Sequence, residues 1–381
     1  MRNRKFRSAT LQVLFVLAVM VILVSAVTTA QDTIATNGMR SGFGFLDRTT
    51  GVNIGFSVLQ YDANSTYRQL ILVGLVNTAI LGILGIILAH IVGLVVAAMA
   101  ISRNGSLNLV AQGYVELFRS IPLILQALFW YALVTHLPAP RNAHEPLPGL
   151  FLTGRGIFMP GLSVTGEAVA LVLGCLLLGA IAFAWFMIDH RFRRISDSRR
   201  RTGRLVIIGL TLLACALALN AGRVPDMPLI SVPELRGLNF RGGFALPPEL
   251  TALAIAIAIY GGAYVSEILR AGFQAVPRGQ LEAAAALGLR PLHVFTRVHL
   301  PMAFRAVLPT LTNQCVWMFK ATTLGIAVGY SDLFYVISIS ITQSGQTLEL
   351  IGILMLGFLV MNNMISFLLN RLNKAIALKG T

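Results

Sequence analysis

Apolar residues along this chain come in runs of about 20, the length a helix needs to cross a hydrocarbon layer about 30 Å thick. The runs fall at about residues 10–30, 70–101, 109–134, 168–188, 205–221, 250–269, 306–327 and 348–369, with polar or charged stretches between them. They predict eight transmembrane helices and an all-α integral membrane fold. The first run follows Arg2, Arg4, Lys5 and Arg7 and ends at Thr28-Thr29-Ala30, so it fits a cleavable signal peptide as well as a span. Its length favours an uncleaved span. Residues 31–68 read as an external loop rich in Gly and Thr. Two Pro-rich external loops hold Pro138, Pro140, Pro146 and Pro148, then Pro225, Pro228, Pro233, Pro247 and Pro248.

Composition agrees with that pattern. Of 381 residues, 56% are hydrophobic and 12% charged, against about 25% charged in soluble domains. A net charge of +15 would suit nucleic acid. Its placement argues otherwise, because the loops assigned to the inside hold 20 of the 30 Lys and Arg and the outside loops hold 8. That asymmetry orients helices. It predicts a multi-pass membrane protein with both termini cytoplasmic and no nucleic-acid partner. The densest cluster, Arg191, Arg193, Arg194, Arg199, Arg200, Arg201 and Arg204, also suits anionic membrane lipid. Cys175, Cys215 and Cys315 are scattered through apolar runs without a CxxC pair, which predicts packing residues and no metal site.

The segment between the sixth and seventh runs is too polar to span. It reads Gly279-Gln280-Leu281-Glu282-Ala283-Ala284-Ala285-Ala286-Leu287-Gly288, then Arg290-Pro291, and closes on Val298-His299-Leu300-Pro301. Ala, Glu and Leu favour a short helix. Gly288 suits a left-handed cap, Pro291 the first turn of a second helix, and Pro301 the end of that helix. A cytoplasmic helix–Gly–helix hairpin of this kind is a rigid knob for a partner's groove, with His293 and His299 solvated or facing the partner.

Glu-Ala-Ala, three residues, Gly, nine residues, then Val-x-Leu-Pro resembles the EAA loop of ABC-importer permeases. The matching positions are Glu282, Ala283, Ala284, Gly288, Leu300 and Pro301, with Val298 where Ile is commoner. Flanking segments resemble the polar-amino-acid permeases. They are Leu75-Val76-Asn77-Thr78, Tyr114 to Pro122 (YVELFRSIP), Ala263 to Gly272 (AYVSEILRAG), Lys320-Ala321-Thr322-Thr323-Leu324, and Gly329-Tyr330-Ser331-Asp332-Leu333. Gln343-Ser344-Gly345-Gln346 followed by Glu349 looks like the larger permease of general L-amino-acid importers.

The resemblance covers about 70–135 and 250–375 and implies a type-I permease core of five helices. The chain then divides into an N-terminal span and loop (1–69), the first part of the core (70–135), an insertion with two spans (136–249), and the second part (250–375) with its coupling loop at 277–304. It also implies a homologous second permease, two cytoplasmic ATPase subunits docked on the EAA loop, and a periplasmic amino-acid-binding protein that delivers an amino-acid substrate. This chain would hold no cofactor, since ATP is bound by the ATPase subunits. Ala321 departs from the pattern, which usually has Asp or Asn there, and that leaves the substrate range open.

Charges inside apolar runs are costly and normally face a bundle interior or a watery cavity. Glu116 and Arg119 sit three apart, as do Glu267 and Arg270, so each pair is placed to meet on one helical face. For Lys320 two readings stand: it lines the translocation path with Thr322 and Thr323, or it pairs internally with Glu116 or Glu267. With Thr78, these eight residues are the path candidates. His90 reads as a hydrogen-bonded packing residue, and Gly325 with Gly329 as a close-packing pair.

No phosphate loop of the G-x-x-x-x-G-K-[ST] type occurs, and neither a zinc-protease helix nor a nucleophile elbow is complete. The chain therefore reads as a non-enzymatic subunit. Two rival functions remain: an ABC permease for another small solute, and an ATP-independent secondary carrier, which would show internal repeats that are not evident here.

Overall fold

Helix α1, Tyr67–Ala100, starts at a capping box. Thr66 Oγ1 accepts from the Gln69 amide, and the Gln69 side chain accepts from the Thr66 amide. Its 34 residues extend about 51 Å, well beyond the hydrocarbon thickness. The computed structural model describes residues 10–22, 24–25, 28–29, 42–102, 104–188, 197–224, 228 and 230–376. The basic residues before residue 10, Arg103, arginines 191–194 and Lys379 lie outside the described residues, as does much of the expected first span beyond its helix at Thr10–Ile22.

After α1, Asn104 caps α2, Gly105–Ser120, by accepting from the amides of Ser106 and Leu107. Ile121 precedes Pro122 and is extended, at φ −91° and ψ 125°, so the helix must stop there. Helix α3, Leu123–Thr135, leaves at 101°. The single span expected at 109–134 is thus a bent pair. Helices α4, Gly166–Ile188, and α5, Asp197–Ala221, pack side by side, and α4 touches the rest of the bundle. Because α5 starts at Asp197 rather than near residue 205, arginines 199–204 lie on its first turns.

Helix α6, Pro248–Gln274, is followed by α7, Arg278–Ala286, and α8, Pro291–Val294. A π turn, Phe295–His299, carries α8 without a break into α9, Leu300–Lys320. Pro301 therefore lies within a continuous helical stretch instead of ending a short helix, and the π turn directly before it is the local departure from the regular ladder that a residue without an amide N–H requires. A 3₁₀ segment, Ala321–Val328, continues α9. Helices α10, Leu333–Ser344, and α11, Thr347–Ile376, complete the chain. Sequence reading missed α10, whose Ser338, Ser340 and Thr342 interrupt the apolar run.

Among the described residues, four helices are long and apolar enough to cross a membrane: α1, α5 from Arg201, α6, and α11 as far as Arg371. The α2–α3 pair and the 48° pair of Pro291–Val328 with α10 add up to two broken spans, giving six where eight were expected. The two that are not counted are the first and fourth expected spans, where the apolar helices among the described residues are short, Thr10–Ile22 and Gly166–Leu176.

The Pro-rich loops are not irregular. Strands β1 (His144–Leu147), β2 (Leu150–Thr153), β3 (Gly156–Met159) and β8 (Phe244–Leu246) form one antiparallel sheet in that order. Two small ribbons flank it, β4 (Gly161–Leu162) with β5 (Ile230–Ser231), and β6 (Glu234–Arg236) with β7 (Asn239–Arg241). Phe240 stacks on Phe151 with ring centroids 4.4 Å apart and tilts against Phe158 at 5.1 Å, joining sheet to ribbon.

The core is the crossing of α1 over α6. Gly85, Ala89, Gly93 and Ala97 recur every fourth residue on one face of α1, and all are buried. A methyl group on Gly93 would lie 2.5 Å from Val265 Cγ1 and 3.1 Å from the Gly262 carbonyl. One on Gly85 would lie 2.7 Å from Ile257 Cγ2. Helix α9 closes the core with Met318 against Gly261 and the Phe319 ring against Gly82. Of the expected Gly325–Gly329 pair, Gly325 packs between Tyr330 and Leu253, whereas Gly329 is an exposed left-handed cap at φ +78°. Gly93→Val should cost about 1–3 kcal/mol through overpacking, read as a lower thermal midpoint in detergent. Gly113→Ala in the middle of α2, where an added Cβ meets nothing within 4 Å, should hold the midpoint or raise it, because alanine favours the helix.

Candidate functional site

The hairpin after α6 is built as its residue types predict. Helix α7 ends in a Schellman cap: the Gly288 amide donates to the Ala285 carbonyl at 2.9 Å, and the Leu289 amide to Ala284 at 3.4 Å. Gly288 holds φ +76°, with open space where a Cβ would go. A side chain there is opposed by backbone conformation and not by crowding. Glu282 and Ala283 are exposed, and Leu287 is 83% exposed at the tip, so these residues face outward together. Ala284 is only 6% exposed and packs against the protein's own body. Leu300 is partly exposed and Pro301 half-buried in the first turn of α9.

The hairpin is tied to α6 by a contact that sequence reading missed. A His299 ring nitrogen lies 3.0 Å from the Phe273 carbonyl in the last turn of α6, which corrects the expectation of a solvated or partner-facing residue. The His299 ring edge packs on Phe273 at 5.1 Å, and Phe273 stacks on Phe295 at 5.9 Å and 13°. His293 is half-buried. The only sequence signal was aromatic spacing, Phe295 and His299 four apart.

The membrane charges gather at the meeting of α2 and α6. An open cleft of about 430 Å³ is lined by Gln112, Glu116, Arg119 and Ser120 of α2 and by Tyr264 and Glu267 of α6. Glu267 and Arg270 form the expected pair, through Nε to Oε1 at 2.9 Å and Nη2 to Oε2 at 2.8 Å. Glu116 and Arg119 do not pair. The Arg119 guanidinium instead sits 4.8 Å from the centre of the Tyr264 ring. Tyr264 and Tyr260 in turn pack on Trp317 at 6.2 and 5.5 Å. Trp317 precedes Lys320 by three residues on α9, so an aromatic ladder connects Arg119 with the turn that carries Lys320. Sequence reading did not single out Tyr260, Tyr264 or Trp317.

Lys320 is exposed and makes no ion pair among the described residues, so the alternative in which it pairs with Glu116 or Glu267 is not formed. Thr78 and Thr322 are fully buried, and their hydroxyls donate to the carbonyls of Gly74 and Phe319, both within their own helices. Thr323 is half-buried, with its hydroxyl on the Lys320 carbonyl at 2.9 Å.

Comparison with known proteins decides the family. Residues 242–378, which include the hairpin, match the family of the binding-protein-dependent transport system inner membrane component. YhdX of Escherichia coli, whose name places it among amino-acid ABC transporter permeases, is 35% identical over 99% of this chain and 95% of its own length. The general L-amino acid transport system permease protein AapQ of Rhizobium johnstonii is 34% identical over 99% of this chain and 94% of its own. The glutamate/glutamine/aspartate/asparagine transport system permease protein BztB of Rhodobacter capsulatus is 31% identical over 99% and 95%. The chain belongs to the family of amino-acid ABC permeases. It is a multi-pass membrane subunit that works with separate ATPase and substrate-binding proteins.

In this permease, two of the sequence segments that suggested the family clasp each other. Asn77 Nδ2 donates to the carbonyls of Phe56 and Ser331, both at 2.9 Å. Tyr330 Oη donates back to the Asn77 carbonyl at 3.0 Å, and the Leu333 amide donates to Thr78 Oγ1 at 2.9 Å. Asp332 caps α10 by accepting from the Tyr335 amide at 2.8 Å. Asn77, Thr78 and Asp332 are fully buried, and Phe56 of the loop ahead of α1 stacks over Tyr330. The knot thus fixes α10 and that loop to α1. Asn77→Leu strips the buried Ser331 carbonyl and the part-buried Phe56 carbonyl of their donor, so the permease should lose about 1–3 kcal/mol of stability. Unfolding of the purified protein followed by tryptophan fluorescence measures this; a change under about 0.5 kcal/mol would show that the knot is not a stabilising contact.

Proposed function

We propose that this chain is one permease half of an importer for polar L-amino acids in the bacterial inner membrane, with both termini in the cytoplasm. A homologous permease completes the path, two cytoplasmic ATPase subunits bind ATP and dock on the hairpins, and a periplasmic binding protein delivers the substrate. The full-length relatives named for amino-acid transport support the substrate class. The excess of Lys and Arg in the loops assigned inside supports the orientation.

The observation that carries the reading is the continuity of the hairpin with α9. From Leu300 to Lys320 that helix rises about 30 Å, the thickness of the hydrocarbon layer. The Schellman cap stiffens the exposed end, the Phe273–Phe295–His299 cluster fixes it to α6, and Lys320 stands at the far end. When ATPase subunits close on Glu282, Ala283 and Leu287, the push tilts α9 as a lever. The aromatic ladder from Trp317 to Arg119 moves with it. Lys320 and Arg119, neither of which forms a close ion pair among the described residues, are cations able to receive a substrate carboxylate in a watered path. The Glu267–Arg270 pair holds the wall of the cleft.

Two variants of the reconstituted complex test the reading. Gly288→Glu strains the left-handed cap and crowds the docking tip, so ATP hydrolysis should continue while uptake falls at least about tenfold, equivalent to ~1.4 kcal/mol of lost coupling. Lys320→Met should lower uptake with stimulated hydrolysis intact. Full coupling in the first variant would remove the docking role, and unchanged uptake in the second would remove Lys320 from the path.

A further inference from the structure

We propose that the inserted helix pair, α4 with α5, is a binding site for one anionic phospholipid, with an acyl chain in a groove between the helices and the headgroup on the arginines at its end. The groove encloses about 320 Å³ and is lined by Leu176, Gly179 and Phe183 of α4 and Ile207, Ile208, Thr211 and Leu212 of α5. Thr211 is its one polar side chain, and that hydroxyl is already spent on the Ile207 carbonyl at 2.8 Å. The lining is therefore apolar, and it lies in helices that expose Leu205, Leu210, Leu213 and Leu217 to the surroundings. Gly179 forms the floor, because a Cβ there would collide with Thr211. From Leu176 to Phe183 the groove runs about 10 Å along α4, roughly a third of the hydrocarbon thickness.

Charge marks one end of this groove. Arg204 lies four residues before Ile208 and seven before Thr211, so it continues the groove-lining face of α5. It is half-buried, and its Nε has no hydrogen-bond partner among the described residues. Arg201 lies one turn further out and is exposed. Arg201 and Arg204 thus put two guanidinium groups at one end of an apolar slot. A guanidinium is a forked donor suited to phosphate. A lipid joins the two demands: its chain fills the slot while its phosphate and anionic headgroup meet the arginines. Clusters of basic residues beside a membrane helix attract anionic lipid on general grounds; here the slot adds a place for one molecule. The inference rests on the helix pair alone and is independent of the importer reading.

The transporter, purified with its associated subunits, would be exchanged into micelles containing equal phosphatidylglycerol and phosphatidylcholine, and retained lipid counted by native mass spectrometry. The wild type should keep phosphatidylglycerol over phosphatidylcholine by about tenfold or more, and each arginine removed in Arg201→Gln and Arg204→Gln should cost roughly fivefold. Arg204→Lys should restore most of the preference. Thr211→Phe, which fills the slot, should lose retention of both lipids while the subunits stay assembled. Equal retention of the two lipids by the wild type overturns the proposal. So does unchanged retention in the Thr211→Phe variant, or no retained lipid at all, as when a helix of a neighbouring subunit occupies the slot.

Discussion

Inside a bilayer, hydrocarbon surrounds every helix, so burying a leucine between two helices gains little over leaving it in lipid. What holds α1 to α6 is close approach. The every-fourth-residue series Gly85, Ala89, Gly93 and Ala97 removes side chains from one face of α1, and Ile257, Gly261, Gly262 and Val265 of α6 fill the space. Dispersion contacts between backbones at that distance supply the attraction that the hydrophobic effect does not. Everything else is placed against this seam. Helix α9 presses Met318 and Phe319 onto it, the 3₁₀ segment packs on α9, and α10 lies against α1 and α11.

The second constraint is the cost of an unpaired polar group away from water. Each break in a helix has to settle its freed amides and carbonyls, and the breaks here do so with side chains from other elements. Asn77 and Thr78 of α1 serve the turn ahead of α10, while His299 meets a carbonyl at the end of α6. Such contacts turn breaks into joints with fixed geometry. The hairpin is thus continuous with α9, which packs on both α6 and α1. Helices α4 and α5 stand apart from that core. Helix α5 buries almost nothing, and the pair meets the core through α4.

Much of this was legible in the residues. The apolar runs located most helices, and the Glu-Ala-Ala to Gly288 spacing located the hairpin with its cap, because a short Ala-rich helix and a left-handed glycine are local matters. Long-range matters were less legible. Pro301 looked like a terminator because nothing in its neighbourhood reveals that the preceding turn is helical too. The burial of Thr78 and Thr322 was not legible, because a hydroxyl in a span does not disclose whether it faces water or its own backbone. The Glu116–Arg119 spacing suggested an ion pair, and Tyr264 from another helix took the guanidinium instead. The sheet formed by the Pro-rich loops pairs residues about 90 positions apart, such as Phe158 with Ala245, and no local pattern announces it.

The central claim is that the exposed tip at Leu287 meets an ATP-hydrolysing partner on the cytoplasmic side. A photo-crosslinking amino acid placed at Leu287 in native membranes tests it directly. The account predicts one dominant adduct, with a nucleotide-binding subunit, formed only by illumination of complexes whose tip is shielded from reagents added outside. Adducts that contain no nucleotide-binding protein, or a tip that reacts with an external membrane-impermeant label, would contradict it.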